Sequence, residues 1–280
     1  MENRFFSWQQ FSDHFDRELV SAGSVYEQRK KSGIEDYVYA TYDFAFISDN
    51  ESKLSSLGAF LSNNYGYKVN EVRNFDKYLE ITGDATEFPV DEDNLTYWAL
   101  DLYTKGYEFD CRLDGYGAIG DPKDQRHPNL DLTMYDHYFE LAMEAYNKRN
   151  LGMAIVHFST AIKIDPSDPN CWYSRAIAKD ELYTWRAARR DYDKAIELAP
   201  DFVAAIVNRA ANKDEAGEYD QAIEDYTKVI EIEPENAMAY FNRGNSRLNK
   251  NDKKEACEDW TKARELGAEY AQERIQQYGK

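Results

Sequence analysis

A 34-residue period runs through the second half of the chain and constrains its fold more than any other feature. Pro166, Pro200 and Pro234 lie 34 residues apart and end the similar phrases AIKIDP, AIELAP and VIEIEP. Four more series keep this step: Ala154, Ala188, Ala222 and Ala256; Phe158, Tyr192, Tyr226 and Trp260; Tyr138, Trp172, Ile206 and Tyr240; and Ala161, Ala195, Val229 and Ala263. Such a period predicts stacked units that bury a shared core, because one unit cannot bury its apolar face alone.

The residue types within each period predict a pair of antiparallel helices. Small residues recur where two helix backbones would approach closely, and large aromatic residues would fill the space between neighbouring units. Each proline marks a turn to the next unit, because proline cannot donate a backbone hydrogen bond inside a helix. The small residues of the first helix are Ala142, Ala176, Ala210 and Gly244.

These repeats resemble the tetratricopeptide repeat (TPR) family. The resemblance covers 135–168, 169–202, 203–236 and 237–270, and it implies an all-α TPR superhelix of four helix pairs. The fourth repeat departs from the pattern, because Ala268 replaces the terminal proline. An amphipathic segment at 269–278 is expected to cap the last repeat, which completes a TPR domain over 135–280.

The resemblance implies a groove, lined by the first helix of each repeat, that binds a peptide segment of a partner protein. One family subtype binds chaperone carboxylates through a lysine at repeat position 5 and asparagines at positions 9 and 6. Phe139 and Tyr173 occupy position 5 in place of the lysine, with Met143 and Ile177 at position 9, so a chaperone clamp is not expected although Asn208 and Asn242 occupy position 6. The alternative is that the N-terminal domain or the terminal helix already covers these side chains. The candidate groove residues are Phe139, Met143, Tyr146, Tyr173, Ile177, Val207, Asn208, Phe241, Asn242 and Asn245.

The first 134 residues lack the period and predict an α+β domain over 1–120, joined to the repeats by a linker at 121–134. Apolar spacing predicts a helix at 5–31, followed by an alternating strand at 37–47. A helix to about 65, a hairpin at 67–75 and 77–83, a helix at 91–106 and a strand at 107–119 follow. The order β-α-β-β-α-β predicts a ferredoxin-like sandwich.

Residues 20–120 resemble the regulator of ribonuclease activity B family (RraB-like). The resemblance rests on the strand YDFAFISD, on the helix after it and on EFDCRLDGYGAI, with its acidic Asp114 and the turn Gly115, Tyr116 and Gly117. The family more often has tryptophan in place of Tyr116. Members are small, acidic and non-enzymatic, and the best-known one binds a ribonuclease and inhibits it. The resemblance therefore implies a protein-binding regulator.

The charge balance argues against direct nucleic-acid binding. The chain has 34 basic and 52 acidic residues, a net charge of −18, whereas phosphate contacts need clustered lysine and arginine. An acidic surface could instead bind a basic partner protein, such as the RNA-binding surface of a ribonuclease. The alternative is a solvated face that only keeps the protein soluble. The candidate acidic face consists of Asp84, Glu87, Asp91, Glu92 and Asp93.

Motifs for catalysis, cofactors and metals are not found. GYGAIG at 115–120 matches GxGxxG, but the following DPKDQRHPNLD predicts no helix to hold a pyrophosphate. The scattered histidines and the three cysteines form no metal-binding spacing, so no cofactor is expected. The absence of an apolar leader and of a membrane span predicts a cytoplasmic protein. The sequence predicts a non-enzymatic adaptor; the alternatives are a structural scaffold and an enzyme with an unrecognised site.

Overall fold

The chain forms a small antiparallel sheet near its N-terminus followed by a helical region, and the computed structural model describes residues 4–119, 125–128 and 130–279. The strands are β1 (Val38–Ser48), β2 (Lys68–Val69), β3 (Arg73–Phe75), β4 (Tyr78–Asp84), β5 (Phe88–Val90) and β6 (Arg112–Ile119). The helices are α1 (Trp8–Lys31), α2 (Glu51–Phe60), α3 (Glu92–Glu108), α4 (Tyr135–Asn147), α5 (Leu151–Ile164), α6 (Pro169–Glu181), α7 (Trp185–Leu198), α8 (Val203–Glu215), α9 (Tyr219–Ile232), α10 (Ala237–Asn249), α11 (Lys253–Glu265) and α12 (Ala271–Tyr278).

Two compact units make up the fold. The N-terminal unit comprises Met1–Pro166 and Ala178–Tyr183, and the C-terminal unit comprises Ser167–Ile177 and Thr184–Lys280. The N-terminal unit therefore contains the sheet together with the first helix pair of the repeats, α4 and α5.

Strand β1 is the central strand of the sheet. It pairs antiparallel with β4 along one edge and with β6 along the other, so Ala45 lies opposite both Thr82 and Gly115. Strands β2 and β3 pair antiparallel with β4, and β5 pairs antiparallel with the first residues of β1. The long strands thus follow the order β6–β1–β4, with β2 and β3 beyond β4.

One face of the sheet forms the core of the N-terminal unit. The period-two alternation of β1 directs Tyr42, Phe44 and Phe46 to this face, where each is at most 2% exposed. Burying a side chain of this size contributes about 1.5–3 kcal/mol. Apolar residues of α2 and α3 belong to the same cluster: Leu54, Leu57, Leu95, Trp98 and Leu102.

Side-chain caps fix where the helices of this unit begin. The helix predicted from residue 5 begins at Trp8, because Ser7 and Gln10 form a capping box. Asn50 accepts a hydrogen bond from the Ser52 amide at the start of α2, and a π-helical turn, Leu61–Tyr65, continues that helix. Each cap satisfies a backbone amide that has no partner inside the helix.

The hairpin region differs in detail from the sequence-based expectation. The strand expected over 67–75 consists of two short pieces, β2 and β3. Only β3 forms the tight hairpin with β4, in which Phe75 pairs with Tyr78 and Asp76 adopts a positive φ of 49°. Strand β5 was not predicted, because three residues that include a proline give too short an alternation to recognise.

The helices of the repeat region follow the 34-residue period closely. The first helices start at residues 135, 169, 203 and 237, and the second helices start at 151, 185, 219 and 253. Helix α12 starts at 271, one further period on, inside the segment expected to cap the array. The turn within each pair contains one left-handed residue at the same position: Arg149, Tyr183, Gly217 and Asn251.

Helix α5 packs directly against α3 within the N-terminal unit. A Cβ on Gly152 would lie 2.9 Å from the Trp98 Cα and 3.0 Å from the Tyr97 carbonyl oxygen, so only glycine permits this approach. The Tyr65 hydroxyl donates to the Arg149 carbonyl oxygen at 2.7 Å, which ties the π-helical turn to the start of α5. The first helix pair is therefore part of the same core as the sheet.

The linker expected at 121–134 is described only in part. Residues 121–124 and 129 lie outside the described residues, as does Gly120 of the GYGAIG motif. The described part includes Leu132–Met134, a short 3-10 turn that leads into α4. The expected boundaries at 1–120 and 135–280 stay predictions.

Candidate protein-binding surface

The first helices of the C-terminal unit present one row of side chains to solvent. Repeat positions 2, 6 and 9 share a helix face, because residues spaced by four and seven fall on the same side at 3.6 residues per turn. We call these exposed and half-buried residues of α6, α8 and α10 the first-helix surface. Its members are Asn170, Ser174, Ile177, Ala204, Asn208, Ala211, Met238, Asn242 and Asn245, none of which is charged.

Asparagines dominate this surface. Asn208 lies on α8, and Asn242 and Asn245 lie one turn apart on α10; all three are half-buried. The Asn208 amide donates to the Tyr173 hydroxyl at 3.3 Å, which links α8 to α6. The Asn245 Oδ1 atom is buried and has no hydrogen-bond partner. An unpaired buried carbonyl costs about 1–3 kcal/mol.

The predicted aromatic groove residues of this unit pack behind the asparagines. The Tyr173 ring lies 4.8 Å from the Phe202 ring and 6.1 Å from the Tyr192 ring, measured between centroids. The Phe241 ring lies 4.7 Å from that of Tyr270 in a T-shaped arrangement. Val207 is 9% exposed, whereas Ile177 is half-buried at the edge of the same cluster. Tyr173, Val207 and Phe241 form the floor, and the first-helix surface, which includes Ile177, lies above it.

The remaining predicted groove residues belong to α4 in the N-terminal unit. Phe139 lies against Tyr135 and Phe158, with ring centroids 6.0 and 5.6 Å away. The Tyr146 hydroxyl donates to the Glu181 carboxylate, which also pairs with the Arg149 guanidinium. Met143 is 36% exposed and is the most accessible of the three predicted residues on α4.

Behind the first-helix surface, each of the last three repeats contains one buried arginine–aspartate pair. The guanidinium forms two hydrogen bonds to the carboxylate of an aspartate 16 residues later, with donor–acceptor distances of 2.7–3.0 Å. The aspartate side chains are only 5–8% exposed. The arginines and the aspartates of these pairs each recur every 34 residues, so the pattern is visible in the sequence. The spacing of charged residues does not indicate that their side chains are buried. The pairs are Arg175–Asp191, Arg209–Asp225 and Arg243–Asp259.

The residues of the candidate acidic face serve different structural purposes. Asp84 lies 3.7 Å from the Lys68 ammonium, and Glu87 pairs with the Arg126 guanidinium at 2.5 Å. Asp91 caps α3 by accepting a hydrogen bond from the Asn94 amide at 2.7 Å, and burial raises the pKa of its carboxyl. Glu92 and Asp93 are exposed in the first turn of α3, and neither forms an ion pair with another residue that the structure describes.

A buried carboxyl group in the N-terminal unit has a strongly shifted pKa. Burial raises the pKa of Asp101 to about 7, although the Lys105 ammonium and the Tyr65 hydroxyl oppose this shift. Asp101 is 2% exposed and lies where α3 packs on Gly152. Shifted pKa values are common at active sites, but this carboxyl lies within a packed helix contact rather than in a cleft.

Three further observations concern sites and membranes within the described residues. No group of three or more histidine, cysteine, aspartate or glutamate side chains is arranged to hold a metal ion. The cysteines Cys111, Cys171 and Cys257 are all free thiols. None of the described helices has the length and apolar character needed to cross a membrane.

Comparison with known proteins identifies the repeat. The family described as TPR repeat matches residues 215–251, which span the end of α8 through α10. This match agrees with the third and fourth of the expected repeats.

Solved structures of TPR proteins are similar to part of this chain. The crystal structure of MamA is 25% identical, covers 49% of this chain and 81% of that chain, and gives a TM-score of 0.47. YrrB, described as a TPR protein with an unusual peptide-binding site, is 19% identical over 62% of this chain and 82% of its own, with a TM-score of 0.47. The Arabidopsis OM64 TPR domain is 23% identical over 42% of this chain and 97% of its own, with a TM-score of 0.40. All three TM-scores are below 0.5, so these likenesses support no functional conclusion for this chain.

Proposed function

We propose that this chain is a protein-interaction adaptor whose first-helix surface binds a peptide segment of a partner protein. The observation that carries the proposal is the set of Asn208, Asn242 and Asn245 on one uncharged, solvent-facing surface of α8 and α10. A peptide backbone offers both donors and acceptors, which match the hydrogen-bonding groups of these amides.

Asparagine suits backbone recognition because its side chain both donates and accepts. The Asn208 and Asn242 amides can each pair with a peptide carbonyl and a peptide N–H, and the Asn245 amide can donate to a peptide carbonyl, in the way that main-chain hydrogen bonds give affinity in other peptide-binding modes. Ile177 and Met238 add apolar area beside the amides, and Met238 is 49% exposed. The floor residues Tyr173, Val207 and Phe241 pack between the helices and fix the positions of those that carry the asparagines.

Selection from a random peptide library with immobilised full-length protein tests this function. We expect wild type to enrich a related set of peptides and the variant Asn208→Ala/Asn242→Ala/Asn245→Ala to lose them. The control Gln221→Ala/Gln276→Ala/Gln277→Ala removes three amides that are exposed on α9 and α12, and it should select as wild type does. Equal enrichment by wild type and the asparagine variant would contradict the proposal.

For the N-terminal region we propose a ferredoxin-like domain of the RraB-like kind. The strand order β6–β1–β4–β2, antiparallel throughout, supports this topology, because the split β-α-β-β-α-β arrangement gives that order. The family resemblance rests on the sequence motifs alone, since the TPR match covers other residues. A cytoplasmic location agrees with the three free thiols, because disulfides are rare in reducing compartments.

Inhibition of a ribonuclease, or binding of another basic partner protein, is the finer proposal for this domain. Its support is the acidic composition and the exposed pair Glu92 and Asp93. RNA cleavage by the ribonuclease of the same organism should slow when the purified chain is added. The variant Glu92→Lys/Asp93→Lys should lose this effect, and the control Glu231→Lys/Glu235→Lys should keep it. No change in cleavage with wild type would favour the alternative, a structural scaffold.

A further inference from the structure

Asp214 lies beside the first-helix surface and, within the described part of the chain, forms no ion pair with a cation. Its carboxylate accepts a hydrogen bond from the Ser246 hydroxyl at 2.8 Å, and the Tyr226 hydroxyl also faces it. On α8, Asp214 lies one helical turn after Ala211 of the first-helix surface, so it borders the C-terminal end of that surface. The neighbouring Lys213 is directed elsewhere, because its ammonium pairs with Asp225 at 2.8 Å. Burial raises the pKa of Asp214, as expected for a half-buried acid that no cation stabilises.

The position of Asp214 in its helix adds to the local negative potential. Asp214 and the exposed Glu215 are the last two residues of α8. The C-terminal end of a helix carries a partial negative charge, so cations are favoured and carboxylates disfavoured at this point. Among the described residues, no lysine or arginine forms an ion pair with Asp214 to offset this potential.

The charge of the surface also decides which peptides it excludes. None of the residues of the first-helix surface is cationic, and repeat position 5 is occupied by Tyr173, Val207 and Phe241. A peptide held by its terminal carboxylate, or one rich in acidic residues, would therefore find no partner charge and would be repelled by Asp214.

We infer that the segment bound on the first-helix surface carries a lysine or arginine, whose cation is held beside Asp214 and Glu215. The inference rests on the proposed function and names the chemistry of its ligand: a basic peptide segment whose backbone pairs with the asparagines. Amide pairing gives affinity for any backbone, and the Asp214 carboxylate selects among sequences by charge.

The random-library selection described above tests this inference when its output is sequenced. Peptides selected by wild type should contain lysine or arginine more often than the starting library. The variant Asp214→Asn keeps an acceptor for Ser246 but removes the charge, so its selected peptides should show no such excess. The control Asp220→Asn removes an exposed carboxylate on α9 that pairs with Lys250, and the excess should persist. A wild-type peptide should bind Asp214→Asn about fivefold more weakly.

Each result decides between the two proposals. Enriched peptides that depend on the three asparagines but show no excess of lysine or arginine would overturn this inference and leave the proposed function standing. An excess that persists in Asp214→Asn would overturn it as well. Peptides whose binding is indifferent to the asparagines, or no enrichment at all, would overturn both.

Discussion

The guanidinium of Arg209 and the carboxylate of Asp225 are joined by two hydrogen bonds, Nε to Oδ2 at 2.9 Å and Nη2 to Oδ1 at 2.7 Å. Asp225 also accepts from the Lys213 ammonium, and Arg209 also donates to Asp193 at 2.7 Å. The pair connects the two helices of one repeat, and it recurs in the repeats on either side. A buried charge of this kind is favourable only while its partner is present.

Substitution of Arg209 by leucine should therefore be strongly destabilising. It leaves Asp225 buried with Lys213 as its remaining counterion, and we expect the free energy of unfolding to fall by about 2–4 kcal/mol. Denaturant unfolding, followed by circular dichroism, measures this change. The exposed pair Lys194–Glu197 provides the control, because Lys194→Leu should cost no more than about 0.5 kcal/mol. Equal effects at the two sites would contradict a stabilising role for the buried pairs.

Gly244 and Trp260 should show strong coupling in a double-mutant cycle. A Cβ on Gly244 would lie 2.7 Å from the Trp260 Nε1 atom, whereas the corresponding positions in the other repeats combine alanine with phenylalanine or tyrosine. Gly244→Ala should lower the free energy of unfolding by about 1–3 kcal/mol, because the added methyl overpacks the contact. Trp260→Tyr in that background should restore most of the loss. Additive effects of the two substitutions on the free energy of unfolding would show that the side-chain volumes at positions 244 and 260 are not matched.

The contact between α3 and α5 should be equally intolerant of added volume. Gly152→Ala places a methyl group against the backbone of Trp98 and Tyr97, which cannot move as a flexible side chain could. We expect a loss of about 1–3 kcal/mol of unfolding free energy. Gly115→Ala is the matched control, since its Cβ would meet no atom within 4 Å. A similar loss at both sites would show that the approach of α5 to α3 is looser than described.

Protonation of Asp101 should make the N-terminal unit more stable at acidic than at basic pH. The folded-state pKa is raised to about 7, above the ordinary value of 3.8, so folding retains a proton between these values. Stability contributed by this group is present at low pH and falls as the pH rises through 7. Asp101→Asn should therefore raise the melting temperature more at about pH 8 than at about pH 5, by a difference equivalent to roughly 1–3 kcal/mol. The control is Asp43→Asn, which replaces an exposed carboxylate. Equal destabilisation of the Asp101→Asn variant at both pH values would contradict this prediction.

The repeat period predicted more of the fold than any other part of the sequence. It predicted one helix pair per repeat, because the spacing of proline, alanine and aromatic residues reflects contacts that recur along the chain. It did not predict that α5 would join the core of the sheet unit. That contact depends on Gly152 approaching α3, and a single glycine in an apolar run gives no sign of a partner far away in sequence.

The candidate site was predicted by repeat position but not in its physical character. Counting positions found Tyr173, Asn208 and Asn242 together, since repeat position determines helix face. Whether a side chain is packed or accessible depends on neighbours such as Phe202 and Tyr270. These two residues lie in the turns that lead into α8 and α12. The buried arginine–aspartate pairs were missed for the same reason, because charged residues in sequence are normally assigned to solvent.

The most direct test of the account is calorimetric titration of a library-selected peptide into the full-length protein. We predict that Asn208→Ala/Asn242→Ala weakens binding at least about fivefold, since two net hydrogen bonds contribute about 1–3 kcal/mol in total. The control Gln276→Ala/Gln277→Ala on α12 should bind as wild type does. An unchanged dissociation constant in the asparagine variant, with the fold intact by circular dichroism, would contradict the assignment of the first-helix surface as the binding site.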